Sequence, residues 1–175
     1  MSATAYRPGD FQDFGRLYRQ TYHRVLFTLQ GILGDPAAAE DCTQEAYVRA
    51  FYAWPSWKPA APPEAWIHRI AINVAISRRR RERVRSLSDR LLRRDATAPP
   101  DSGRLDLMNA LTRLLPRHAA LIVLRHHHGY SNREVAAALG IPESTVSAQL
   151  GAAKRELVKL LGEPVHVRLE EGLPQ

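Results

Sequence analysis

The sequence predicts an all-α protein of two small helical domains joined by a flexible linker, the second domain containing a helix-turn-helix. Three observations lead there. Apolar residues recur at helical spacing through most of the 175 residues. Proline-rich and Asp/Ser-rich stretches interrupt that spacing at two places. Near the C-terminus a Ser-x-x-Glu cap and a Gly-Ile-Pro turn join two short helices.

The elements follow in order. Phe11, Phe14, Tyr18, Val25, Leu29 and Ile32 lie in steps of three, four or their multiples, one face of a long helix that Gly34 ends. Asp35-Pro36 then offers a capping carboxylate and a first-turn proline, which predicts a second helix over 36–53. Residues 54–63, WPSWKPAAPP, hold four prolines in ten and predict a loop with two exposed or half-buried tryptophans. A third helix starts at Glu64 and runs into RRRRERVR at 78–85; residues 86–103 read as a linker with one helical turn at 87–92. The second domain, 104–162, opens with a helix broken by Pro116 and continues with an apolar helix to His128. A Gly129-Tyr130 turn, a helix over 132–139 and a last helix ending near Leu161 complete it, and 163–175 read as a short tail.

Composition narrows the function. The apolar share is 45%, that of a globular chain, while 25 Lys and Arg against 18 Asp and Glu leave a net charge of +7 and point to a polyanionic partner. No apolar run approaches the roughly 20 residues that span a bilayer, and the N-terminus lacks a signal-peptide pattern, so the expectation is a cytoplasmic protein without membrane insertion. Cys42 has no partner for a disulfide or a thiolate metal site. His126, His127 and His128 point in different directions on a helix and predict a polar helix end, not a metal site. No phosphate loop, nucleophile elbow or paired acid and base is found, so the expectation is no enzyme, no cofactor and no metal.

Three faces carry the candidate interactions. On the second helix Ala39, Cys42, Ala46, Ala50 and Ala53 form an inward stripe, leaving Asp41, Gln44, Glu45, Val48 and Tyr52 on the opposite side as a protein-docking patch. On the third, Ile67, Ile70, Ala71 and Val74 form the core stripe, and Trp66, Arg69, Asn73, Ser77 and Arg80 line up beside it. An aromatic, an amide and arginines in one row suit stacking on a splayed base and pairing with phosphates. On the last helix Val146, Leu150, Ala153, Leu157 and Leu160 face inward, so Ser144, Ala148, Gly151 and Arg155 face outward with Thr145, Ser147 and Ala152 flanking, as a helix entering the major groove requires. These outward residues are small and mostly neutral, which predicts weak direct readout.

These stretches resemble the extracytoplasmic-function (ECF) sigma factors of bacterial RNA polymerase. GDPAAAEDCTQEAYVRAF is similar to their region 2.2, AWIHRIAINVAISRRRR to regions 2.3 and 2.4, and GYSNREVAAALGIPESTVSAQLGAAKREL to region 4. The resemblance implies that residues 1–85 are region 2 and 104–162 region 4. It implies core RNA polymerase binding through Asp41, Gln44, Glu45 and Val48. It places minus-10 DNA at Trp57, Trp66, Arg69, Asn73, Arg78, Arg79, Arg80 and Arg81, and the minus-35 element at Ser131, Ser144, Thr145, Ser147, Ala148, Gln149 and Arg155. Promoter DNA and, commonly in the family, an anti-sigma factor are the implied partners. Ile72 and Ser77 depart from the family's usual Arg and Asp, and Ser147, Gln149 and Ala152 stand where basic residues are usual. From the residues alone, a helix-turn-helix repressor or activator and a DNA-free interaction adaptor stay open as rival readings.

Overall fold

Asp10 starts the first helix by accepting hydrogen bonds from the N–H groups of Gln12 and Asp13. Helix α1 spans Phe11–Leu33 and stops where Gly34 turns left-handed (φ 77°) and donates to the Gln30 carbonyl. The Asp35 carboxylate caps α2, Pro36–Ala53, with Pro36 in its first turn. The computed structural model describes residues 6–92 and 107–161. After a 3-10 turn at Trp54–Ser56 and the proline loop, α3 spans Pro63–Leu92. It thus continues past residue 85 through the helical turn expected at 87–92; residues 93–103 of the expected linker and the 163–175 tail lie outside the described residues.

The second unit contains α4 (Leu107–Arg113), α5 (Pro116–Ile122), α6 (Asn132–Leu139) and α7 (Glu143–Leu161). A π-helical turn, Val123–His127, extends α5. It closes with the His128 N–H donating to the Val123 carbonyl at 3.0 Å and that of Tyr130 to Leu124 at 3.0 Å. Ser131 and Glu134 form the reciprocal capping box at the start of α6, and Gly140 ends it left-handed at φ 65°. Gly140, Ile141 and Pro142 alone separate α6 from α7.

In the first unit Leu17, Val25, Leu29, Ile67 and Val74 are buried, and the small stripe Ala39, Cys42, Ala46 and Ala50 lets α2 lie close to its neighbours. Phe11 and Tyr18, on the predicted apolar face of α1, are instead 63% and 41% exposed, at the rim of the unit where Phe11 stacks on Phe51 and Tyr18 meets the Tyr47 ring edge-on. The loop expectation also needs correction: Trp54 and Trp57 are buried, not exposed. Their rings stack at 5.1 Å, and the Trp54 indole N–H donates to the Asp10 carbonyl at 2.8 Å, so the proline loop is folded down onto the start of α1.

The second core, with Leu121, Leu124, Val135, Val146, Ala153 and Leu157, is continuous with the first. Helix α3 packs on α6, and α1 on α4 and α5. Among the described residues no helix is long and apolar enough to cross a membrane.

Candidate nucleic-acid interface

Helix α2 presents the side opposite its small-residue stripe to solvent. Asp41, Gln44, Val48 and Tyr52 are exposed and Glu45 half-buried, while Cys42, Thr43, Ala46 and Tyr47 are buried behind them. Burial raises the Cys42 thiol pKa, so it stays a neutral packing group. Glu45 pairs with Arg49 one turn on, and Asp41 with Arg78 of α3 at 3.4 Å. Both pairs are solvent-exposed and weak enough for a partner to displace.

Helix α3 brings Arg69, Asn73, Ser77 and Arg80 to one exposed row, with Trp66 half-buried at its start. Trp66 is packed near Trp54 and Trp57, at ring distances of 5.9 and 6.4 Å. Trp57, assigned above to minus-10 DNA, lies beneath this cluster with its indole nitrogen buried and unpartnered. It supports Trp66 from below and cannot itself stack on a base in this conformation.

The arginines that follow divide into two groups. Arg80 and Arg81 are exposed. Arg78 is engaged by Glu82 at 2.9 Å and by Asp41, and the Glu82 hydrogen bond leads the effects that raise its pKa. Arg79 is turned inward: it donates to the carbonyls of Ile32, Leu114 and Thr112 at 3.1, 3.2 and 2.7 Å. These oxygens sit at the C-terminal ends of α1 and α4, where carbonyls lack helical partners and a cation is favoured. Burial lowers the Arg79 pKa, yet a guanidinium remains charged.

On α7, Ser144, Ser147, Ala148 and Arg155 are exposed, with Thr145 and Gln149 half-buried. Three hydroxyls on this side have internal partners. Ser131 donates to Glu134 at 2.7 Å within the cap, and Thr145 to the Pro142 carbonyl at 2.7 Å. Ser147 accepts from the Asn132 amide at 3.3 Å. Thr145 and Ser131 thus shape the turn, and the outward surface of α7 is small and sparsely charged.

Sequence reasoning missed a polar cluster between the two units. His68 of α3 is wholly buried; its Nδ1 lies 2.8 Å from the Glu64 carbonyl and 3.1 Å from the Tyr130 hydroxyl. A carbonyl only accepts, so Nδ1 carries the proton. His128 Nε2 lies 3.0 Å from the Arg24 carbonyl and 2.9 Å from the Thr28 hydroxyl, and Arg24 donates to the His128 carbonyl at 3.0 Å. Burial, ahead of neighbouring charge, pulls His68 down to about 3 and His128 down to about 4. His128 belonged to a triplet read as a polar helix end; only the spacing of His68 with other α3 residues could have pointed to the partner surface.

The first unit matches the Sigma-70 region 2 family over residues 17–85, and the second matches Sigma-70 region 4 over residues 104–157. Across both, the chain is 31% identical over 162 residues to the ECF RNA polymerase sigma factor SigM of Mycobacterium tuberculosis, covering 90% of this chain and 82% of that protein. This chain belongs to the ECF sigma factors. SigL of the same species is 33% identical over 140 residues, covering 75% of this chain and 79% of SigL. The RNA polymerase sigma-E factor of Streptomyces antibioticus is 28% identical over 152 residues, covering 85% and 84%. Among solved structures, the sigma factor RpoE of Bartonella quintana, in complex with the anti-sigma factor NepR, has the same fold. Its TM-score is 0.67 at 23% identity, over 86% of this chain and 97% of that one. CnrH, in complex with the cytosolic domain of CnrY, superposes with a TM-score of 0.62 at 25% identity, over 87% and 90%.

As an ECF sigma factor the protein directs core RNA polymerase to promoters and helps open the DNA there. It is an initiation factor, and catalysis belongs to the polymerase.

Proposed function

We propose that the division of labour runs residue by residue along the chain. Residues 1–85 form the unit that docks on polymerase and holds minus-10 DNA, 86–103 connect, 104–162 position the protein at the minus-35 element, and 163–175 trail as a tail. Asp41, Gln44, Glu45 and Val48 bind the polymerase. The observation that carries this is the outward side of α2, where two carboxylates, an amide and an apolar side chain stand together above a packed stripe of small residues.

Trp66, Arg69 and Asn73 then meet the unpaired minus-10 strand, with Arg80 and Arg81 on its phosphates and Arg78 joining once it leaves Glu82 and Asp41. Arg79 joins them only after release from its carbonyls, and Trp57 acts by supporting Trp66. On α7, Ser144, Ser147, Ala148, Gln149 and Arg155 face the minus-35 groove, while Ser131 and Thr145 set the helix-turn-helix geometry. The protein works in the cytoplasm, where polymerase and chromosome lie, and an anti-sigma factor is its regulator by analogy with the complex of RpoE and NepR.

The test of the docking residues is a paired substitution. Asp41→Ala with Glu45→Ala is expected to weaken binding to core polymerase at least tenfold, measured by titration of labelled protein, with helicity unchanged. Unaltered affinity would retire this patch as the polymerase contact.

A further inference from the structure

Ser77, Arg80, Arg81, Val84 and Arg85 follow one another on α3 at steps of three and four and their sums, so they share one side of the helix. They line a surface cleft whose other wall is α2, which contributes Arg49. All six side chains are exposed, and four of them are arginines. Among the described residues no carboxylate pairs with Arg80, Arg81 or Arg85, and the Arg81 Nε–H donates to the Ser77 carbonyl at 3.3 Å. Arg49 alone of the four has an anionic partner, Glu45, one turn back on α2. Guanidiniums gathered without counter-ions repel one another, and a phosphate relieves that repulsion by accepting from more than one of them.

We propose that this cleft is a phosphodiester site to which α2 contributes Arg49, and that Glu45 and a single DNA strand compete for Arg49, so that capture of Glu45 by polymerase and of Arg49 by the strand favour each other.

The ligand is a strand because of where the cleft lies. Ser77 and Arg80 also end the exposed row that begins at Trp66 and passes through Arg69 and Asn73, so a strand whose bases meet that row lays its following phosphates between α2 and α3. Arg49 stands at the junction of two surfaces. Its ion pair ties up a carboxylate on the outward side of α2, and Asp41 on the same side is held in turn by Arg78 of α3. A partner that takes either carboxylate leaves an arginine for phosphate, and the linkage runs equally in reverse. The polymerase half of this coupling rests on the docking role of Glu45 proposed above; should that contact fail, the cleft and its competition for Arg49 stand.

Fluorescence anisotropy of the full chain with a labelled single-stranded oligonucleotide tests the cleft without polymerase, so its failure is separate from failure of the docking patch in the core-polymerase titration. At about 50 mM salt the wild type is expected to bind, with affinity falling as salt rises. Arg49→Ala is expected to lower the slope of log affinity against log salt by about 0.7, one phosphate's share for a single strand, and Arg85→Ala to do the same. Glu45→Ala is expected to raise affinity about two- to fivefold, the scale of one exposed ion pair. That gain is expected to disappear in the Arg49→Ala background, whereas general loss of a negative charge would raise affinity equally in both. An unchanged slope in Arg49→Ala, an equal gain in the two backgrounds, or no binding by the wild type overturns the proposal.

Discussion

Gly34 and Gly129 share a left-handed backbone, at φ 77° and 71°, but differ in what surrounds them. A Cβ at Gly34 would press on Thr112 at 2.8 Å, while one at Gly129 would meet nothing within 4 Å. Gly129→Ala therefore bears only the left-handed penalty, about 1–2 kcal/mol. Gly34→Ala adds overpacking against Thr112 and is expected to cost about 2–4 kcal/mol in all. Urea unfolding of the two variants checks this, and equal losses would mean that Thr112 moves aside freely. The same scale explains why one arginine was misplaced by the sequence: Arg78 to Arg81 are chemically identical, and only the 100° turn per residue of a helix sends Arg79 inward to the carbonyls and Arg80 outward.

Helices were legible because their ends carry local chemistry. Asp35-Pro36, Gly34 and the Ser131/Glu134 box each satisfy or terminate a helix with groups two to four residues away, and α1, α2 and α6 begin and end as the sequence predicts. The exposed sides of α2, α3 and α7 were legible for a similar reason, since a stripe of small or apolar residues fixes the opposite face. What was not legible depends on contacts far along the chain. Burial of Trp54 and Trp57 requires the loop to fold back on Asp10, and the π-helical turn at Val123–His127 has no proline or glycine to announce it. The capping box gives this scale its own prediction. Ser131→Ala removes the acceptor for the Glu134 N–H and is expected to destabilise the protein by about 1 kcal/mol in urea unfolding, with Ser131→Thr, which keeps the hydroxyl, recovering most of it. No loss in Ser131→Ala would show that solvent caps α6 equally well.

At the scale of the whole molecule, two units predicted from separate stripes turn out to share a mixed polar seam, and that seam makes stability depend on pH. His68 and His128 face Arg24 and Thr28 of α1, the Glu64 backbone carbonyl of α3, and His127 and Tyr130 beside them; the carboxylates of Glu64 and Glu134 act on Tyr130. Both imidazoles are held neutral, at about 3 and about 4, against 6.5 for the free side chain. A depressed histidine pKa means that the unfolded or opened form binds the proton first. The stabilisation is therefore complete above pH 6.5 and shrinks as pH falls from there towards 4. Buried His68 alone loses about 1.4 kcal/mol per pH unit in that range, and His128, partly exposed and screened, less. Asp13, held below its ordinary carboxylate value chiefly by the Arg7 N–H, acts in the same sense but only below about pH 4, outside this window. The urea midpoint is accordingly expected to fall between pH 7 and pH 5, and His128→Asn to flatten part of that slope. A midpoint constant across this range would mean that the two imidazoles exchange protons without opening the seam.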